Sequence, residues 1–394
     1  MIKGLFWLIA AYSLSQFYRA CLAVFAPVLQ LEIDLSPDQI STALGIWFVM
    51  FSAMQIPVGW LLDNKSPRKT AATFLALGGG LGALVFSSAQ GAWAIYVAMA
   101  LIGIGCAPVL MTSFYIFARL APSNRFGTLA GIVVGIGSIG NVAASAPLSF
   151  AMTLIGWRAV CIALAVGTLL IAYALLKFVA DPPKVDRPKS STGNGFSALV
   201  RIWPLYPICV MAAVAYAPSA GLRGSWAGAY LSDIYGLGSD AIGQVTFFMA
   251  LSMILGALVF GPLDRLIESR KTIVLGATGI SLGFIAVLWA GVGSQSIVMI
   301  TVLLIGIGFF GSAYSQIMNH GRSVLPAHLT GRGVTLINLF SIGGAGVGQF
   351  ATAQVFAVAP QSPAATPYGA VFATYSILLL LGGLVYAFSR NKVA

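Results

Sequence analysis

The chain has 394 residues, of which 59% are hydrophobic and 8% charged, with a mean hydropathy of +0.93 and a formal net charge of +11. So little polar side chain cannot cover a water-soluble globule of this size, which excludes a soluble domain and points to the membrane. The basic residues are spread through short loops and form no single stripe, which argues against nucleic acid as a partner and for a role in topology.

Twelve apolar runs are predicted in chain order at residues 5–30, 39–62, 71–89, 92–118, 127–151, 158–179, 204–231, 241–263, 272–292, 296–318, 333–357 and 368–388. Each is long enough to cross about 30 Å of hydrocarbon as a helix. The predicted fold class is therefore an all-α membrane protein of twelve transmembrane helices. The opening Met1-Ile2-Lys3 belongs to the first of these spans and not to a leader, because Arg19 interrupts the apolar run.

The runs fall into two repeats. Gly59 and Gly261 stand 202 residues apart (261 − 59), and so do the triplets that begin at Arg68 and Arg270 (270 − 68). Upstream, Leu35-Ser36-Pro37-Asp38-Gln39-Ile40 returns at the same offset as Leu237-Gly238-Ser239-Asp240-Ala241-Ile242. Repeats this long and this apolar are the mark of duplicated transporters, not of solenoids. The expected organisation is residues 1–180 as one six-helix half, 181–203 as a linker and 204–394 as the second half. The linker is polar, with Asp181-Pro182-Pro183-Lys184 at its start.

With the N-terminus inside, Lys65, Arg68, Lys69, Arg119, Arg125, Arg265, Arg270, Lys271, Arg322, Arg332, Arg390 and Lys392 all fall on the cytoplasmic side, while Glu32, Asp34, Asp38, Asp233 and Asp240 fall outside with Arg158. The expected location is an inner or plasma membrane, with both termini cytoplasmic. One glycosylation sequon, Asn64-Lys65-Ser66, lies on the inner side. Cys21, Cys106, Cys161 and Cys209 sit inside spans without a CxxC pair and are expected to be packing residues.

A charge at the centre of a span costs about 2.5–3.5 kcal/mol even on the mildest scale, so charges there mark function. Arg19 in the first span and Arg223 in the seventh are the two such residues. A guanidinium is a planar fork that suits carboxylate or phosphate oxygens, so the expected substrate is a small organic anion. Helical spacing puts Tyr12, Gln16 and Arg19 on one face, and Pro218 and Gly221 weaken the seventh helix before Arg223. Asn141 and Asn338 are carried as further candidate ligands. Gln55, Tyr115, Gln244 and Gln349 are expected to hold helices together.

No Asp or Glu lies in the interior of a span, and His320, expected at the inner end of the tenth, is the titratable residue left. Alternative cargoes are copper, through Met50/Met54 and Met249/Met253 at i, i+4 spacing, or neutral and zwitterionic solutes or drugs. A non-transporting receptor is a further alternative. Catalysis is not expected, since the chain has no nucleophile set and no metal cluster. Gly103-Ile104-Gly105 and Gly306-Ile307-Gly308 lie mid-span as packing glycines, not as a nucleotide fingerprint.

The loop after the second span, with Gly59, Leu61, Asp63, Arg68 and Lys69, resembles the loop motif of the major facilitator superfamily of secondary transporters, with Ser66 where a glycine is usual. The resemblance extends over essentially the whole chain. In the second copy Asp264 follows Gly261 by three residues instead of four, ahead of Arg270. The resemblance implies two pseudo-symmetric halves that rock between access states, with Asp63, Arg68, Lys69, Asp264 and Arg270 as a cytoplasmic charge latch. The stretches Tyr18-Arg19 to Pro27 and Gln55 to Trp60 are similar to the anion:cation symporter and organophosphate-type branches. An aspartate often precedes the arginine there; here it is Tyr18. The expected partners are an anionic substrate and the lipid bilayer, with a coupling proton, a counter-anion or, in facilitated diffusion, neither; a monomeric chain and no cofactor are expected.

Overall fold

The computed structural model describes residues 4–120, 125–183, 199, 201–263, 267, 269–326 and 329–389. Among the described residues every regular element is a helix. The first span is α1 (Leu5–Ala20) and α2 (Leu22–Ile33), bent by 48° at Cys21. The second is α3 (Pro37–Ala53) with α4 (Gln55–Asn64), and the third is α5 (Pro67–Phe74), a π turn at Leu75–Gly80 and α6 (Leu81–Ser87). Then come α7 (Ala92–Leu120), the segmented fifth span α8 (Phe126–Gly137), α9 (Ile139–Ala143) and α10 (Ala146–Ile155), and α11 (Trp157–Phe178).

The seventh span is α12 (Leu205–Ala215), α13 (Ala217–Gly221), a π turn at Leu222–Trp226 and α14 (Ala227–Tyr235). It is followed by α15 (Ser239–Leu263), α16 (Arg270–Ala290), the tenth span α17 (Ile297–Gly311) with α18 (Tyr314–Val324), α19 (Thr330–Val358) and α20 (Thr366–Tyr386). Among the described residues ten segments are long and apolar enough to cross a membrane unaided, and the two bent pairs bring the number to twelve. The spans stand where the apolar runs place them.

Local chemistry sets the helix ends. Ser36 and Gln39 form a capping box at α3, and Pro37 occupies a first-turn position that needs no N–H donor. Ser66, Ser269 and Ser296 cap α5, α16 and α17 by accepting from the backbone N–H three residues on.

Glycine sets how closely helices approach. A Cβ on Gly103 would lie 2.6 Å from the Trp47 carbonyl oxygen of α3, and one on Gly105 would lie 2.7 Å from the Gly78 carbonyl carbon in the third span. A Cβ on Gly306 would lie 2.7 Å from the Phe284 ring. These pairs are backbone-to-backbone or backbone-to-ring contacts, as small residues make in lipid.

The chain divides into two compact units. Unit 1 comprises Met1–Val185 with Gly224–Ser232 and Leu237–Phe247. In it α7 packs on α3 and the third span, and α1 packs on α7, α8, α9 and α11. At one end Glu32 Oε2 accepts from Arg158 Nη1 at 2.5 Å and from Trp157 Nε1 at 2.8 Å. Also within this unit, Gly228 of α14 abuts the Ala23 carbonyl so closely that a Cβ has no room, and the Ser149 hydroxyl donates to Asp240 of α15. Unit 2 comprises Asp186–Arg223, Asp233–Gly236 and Phe248–Ala394. There α12 packs on α19 and α20, and α16 on α17 and α20, around Ile208, Met211, Ile317, Ile337 and Tyr386.

Candidate functional site: the membrane arginines and the loop charges

Arg19 is half-buried in the last turn of α1, two residues before the break at Cys21. The preceding Tyr18 is 3% exposed and its hydroxyl lies 2.8 Å from Thr168 Oγ1 on α11. Cys21 Sγ, at the break itself, donates to the Tyr18 carbonyl oxygen at 3.5 Å. Upstream, Gln16 is buried and Tyr12 half-buried. The fifth span meets this face with glycines: a Cβ on Gly137 would collide with the Tyr12 ring, and one on Gly140 with the Ser13 carbonyl. Asn141, half-buried, follows Gly140 directly. Tyr12 and Asn141 are thereby brought to one packing seam within unit 1.

Arg223 sits in the π turn of the seventh span and is 3% exposed. Just before it, Gly221 leaves room for two polar groups of unit 2, Gln349 of α19 and Tyr375 of α20. Gln349 Nε2 donates to Tyr375 Oη at 3.2 Å, and both residues are fully buried. Ser219, 1% exposed, donates to the Tyr216 carbonyl at 3.1 Å. Sequence reading treats Gln349 as helix glue and passes over Ser219 and Tyr375. What they share is placement beside a helix break, where backbone groups need partners. Asn338 is half-buried on α19, eleven residues before Gln349 and so about three turns along the same face.

Behind the break at Tyr216, a cavity of about 10 Å³ opens between Pro218, Ser219, Thr278, Ser281 and Tyr314, room for about one water. His320, expected at a helix end, is instead fully buried, with Nδ1 2.6 Å from the Tyr386 hydroxyl. The reason is local: α18 runs on to Val324 and carries His320 into the α12, α19 and α20 core. Met249, of one methionine pair, is fully buried and packs its Cγ 3.2 Å from where a Gly308 Cβ would stand.

In the first loop motif the carboxylate bound to Arg68 is that of Asp181. Asp181 Oδ1 accepts from Arg68 N at 3.0 Å, Oδ2 accepts from the Ser66 hydroxyl, and Arg68 Nε lies 3.1 Å from Oδ2. The Nε contact is off-line and is therefore ionic more than hydrogen-bonded. Arg68 Nη1 also donates to the Leu176 and Val179 carbonyls at 3.3 and 3.2 Å, which caps the C-terminal end of α11. Asp63 and Lys69 are exposed at the facing ends of α4 and α5, and Gly59 lies half-buried within α4.

The second motif repeats part of this device one residue out of register. Counting from the capping serine, Arg68 stands two residues after Ser66 and Lys271 two after Ser269. Lys271 Nζ donates to the Ala387 and Ser389 carbonyls at 2.5 and 3.0 Å and so caps the end of α20. The structural mate of Arg68 is thus Lys271, an offset of 203 (271 − 68), and not Arg270, the half-buried first residue of α16. Asp264 lies outside the described residues.

Twelve helical spans among the described residues, duplicated in sequence, with one arginine buried and another half-buried inside spans, are the build of a membrane transporter and not of an enzyme. The sequence model of the Major Facilitator Superfamily matches residues 8–349, and the chain belongs to that superfamily. Among solved structures, a bacterial homologue of the human lysosomal transporter Spinster, inward-facing and unoccupied, matches with a TM-score of 0.77 at 17% identity, over 98% of this chain and 96% of that one. The nucleoside transporter NupG matches with a TM-score of 0.79 at 11% identity, over 97% and 99% of the two chains. Both likenesses are of fold. A probable sulfoacetate transporter, SauU of Cupriavidus necator, is 25% identical over 185 residues, which is 46% of this chain and 42% of that protein. The chain therefore matches under half the length of that relative.

Proposed function

We propose that this transporter carries a small organic anion, bearing carboxylate, sulfonate or phosphate groups, by alternating access between its two six-helix halves. Arg19 and Arg223 are its anchors, and Tyr12, Gln16, Asn141 and Asn338 are polar partners. The carrying observation is Arg223, a guanidinium 3% exposed in the π turn of a membrane span. A cation kept inside a span marks function more than packing, and its planar fork suits an oxyanion. The likeness to a probable sulfoacetate transporter supports the same class, since sulfoacetate carries an anionic group at each end. With no acid in the interior of a span, a proton carried on the substrate or an exchanged counter-anion is the coupling partner. Gly59, Asp63, Arg68, Lys69, Asp264 and Arg270 serve the cytoplasmic gate. The basic loops favour an inner membrane with both termini cytoplasmic, and the chain acts as a monomer.

The test is a thermal-shift screen of the detergent-purified protein against sulfoacetate, malonate, glycerol 3-phosphate, a neutral sugar and Cu(I). Ligand at about 100 times its Kd adds about 2.7 kcal/mol to the folded state. An anion raises Tm by several degrees in the wild type and by nothing in Arg19→Ala. A stabilising ligand that is neutral or cationic, and that survives Arg19→Ala, refutes the anion reading.

A further inference from the structure

We infer that Tyr18 and Thr168 form a positioning clamp that fixes the azimuth of the last turn of α1 and thereby aims the Arg19 guanidinium; the functional meaning of that aim rests on the proposed role of Arg19. The first span is broken at Cys21 and bends by 48° there, so the backbone ladder that carries Arg19 along α1 is not held from beyond by a continuous helix. Side-chain contacts to other helices therefore bear more of the load of fixing this last turn.

The proton bookkeeping gives the clamp a direction. Thr168 Oγ1 lies 2.6 Å from the Leu164 carbonyl and has one proton, which it donates there. The Tyr18 phenol also lies 3.4 Å from that carbonyl, too long to compete with the 2.8 Å contact to Thr168 Oγ1, which is therefore donated by the phenol. Tyr18 is 3% and Thr168 0% exposed, so no solvent competes for either group. Cys21 Sγ, at the break itself, adds a bond to the Tyr18 carbonyl three residues back. Tyr18 thus ties one side of the α1 terminus to α11, and Arg19, one residue on, points about 100° around the helix from it.

The leverage is large. A guanidinium on an extended arginine stands roughly 9 Å from the helix axis, so a 10° rotation of the turn carries it about 1.5 Å. A displacement of about 1 Å is enough to cost a positioned group much of its effect.

Two readouts test the clamp. The first needs no ligand: the rate at which phenylglyoxal modifies Arg19, followed by peptide mass, should change at least threefold in Tyr18→Phe and in Thr168→Val, with Tm held within about two degrees of wild type. Thr168→Ser, which keeps the acceptor oxygen, should restore the wild-type rate. The second is calorimetric titration with sulfoacetate, whose Kd should rise about tenfold in Tyr18→Phe and no further in the double variant. An Arg19 modification rate unchanged in both single variants overturns the clamp, as does equal disturbance by Thr168→Ser. Loss of the clamp effect on Kd with Arg19→Ala also binding normally would instead strike the anchor reading, because the labelling rate would still report the clamp.

Discussion

Replacing Asp181 by Ala should loosen the join between the third and sixth spans, and the structure sets the size of the effect. Asp181 accepts from Arg68 N and the Ser66 hydroxyl and pairs with Arg68 Nε, at side-chain exposures of 25% for Asp181 and 34% for Arg68. The ion pair itself, screened by water at that exposure, contributes about 0.5 kcal/mol. The charge-assisted bond to Arg68 N adds about 1.5 kcal/mol. Ser66 is also the N-cap of α5, and Asp181 takes the hydroxyl proton so that the oxygen lone pair faces Lys69 N; losing that orientation forfeits part of a cap worth about 1 kcal/mol. Water recovers some of this, leaving a net loss of about 2 kcal/mol. For a chain of this length the melting temperature moves by about 1–2 °C per kcal/mol, so Tm falls by about 2–4 °C. The assay is intrinsic-fluorescence melting of the purified protein, run as a double-mutant cycle in which Arg68→Ala costs less on the Asp181→Ala background than on wild type. Additive losses from Asp181→Ala and Arg68→Ala, with coupling instead between Arg68→Ala and Asp63→Asn, would refute the assignment.

Lys271→Ala should lower Tm by about 1–2 °C, since it removes bonds from a partly exposed ammonium to the Ala387 and Ser389 carbonyls; an unchanged Tm in the same melting assay would contradict the cap on α20. Gly105→Leu should prevent assembly of a monodisperse protein, because a side chain there must separate α7 from the third span, where overpacking costs about 1–3 kcal/mol for even modest insertions. A normal gel-filtration profile for that variant would contradict the backbone contact with Gly78.

The twelve spans were legible because length and hydropathy alone decide them, and the break near Pro218 because proline withholds a donor. The break at Cys21 was not: the residues from Arg19 to Val24 include no glycine or proline, and Pro27, which withholds a donor from the Ala23 carbonyl, lies six residues beyond it. The Tyr18–Thr168 bond joins residues 150 apart, and its departure from the usual aspartate was visible without its consequence. Asp181 read as the start of a polar linker, because composition reports solvation and not the arginine 113 residues upstream. His320 read as a helix end for a similar reason, since a following Gly321-Arg322 pair commonly stops a helix, yet α18 continues past it to Val324.

The two arginines are supported differently, and the register shows why that matters. The landmarks Leu35 and Leu237 are 202 residues apart, but Arg19 and Arg223 are 204 apart (223 − 19), so Arg223 stands two residues nearer its landmark. On regular helices that offset turns Arg223 about 160° away from the face that would mirror Arg19. The π turn at Leu222–Trp226 works against this rotation, since one extra residue per turn takes back about 100° and leaves a difference of about 60°. The first span has no π turn at its arginine and instead breaks two residues beyond it, at Cys21, whereas the seventh breaks seven residues before Arg223, at Tyr216. In the proposed reading the Tyr18–Thr168 bond aims Arg19, whereas Arg223 is oriented by the winding of its own helix, so each guanidinium answers to a separate constraint and neither constraint follows from the duplication.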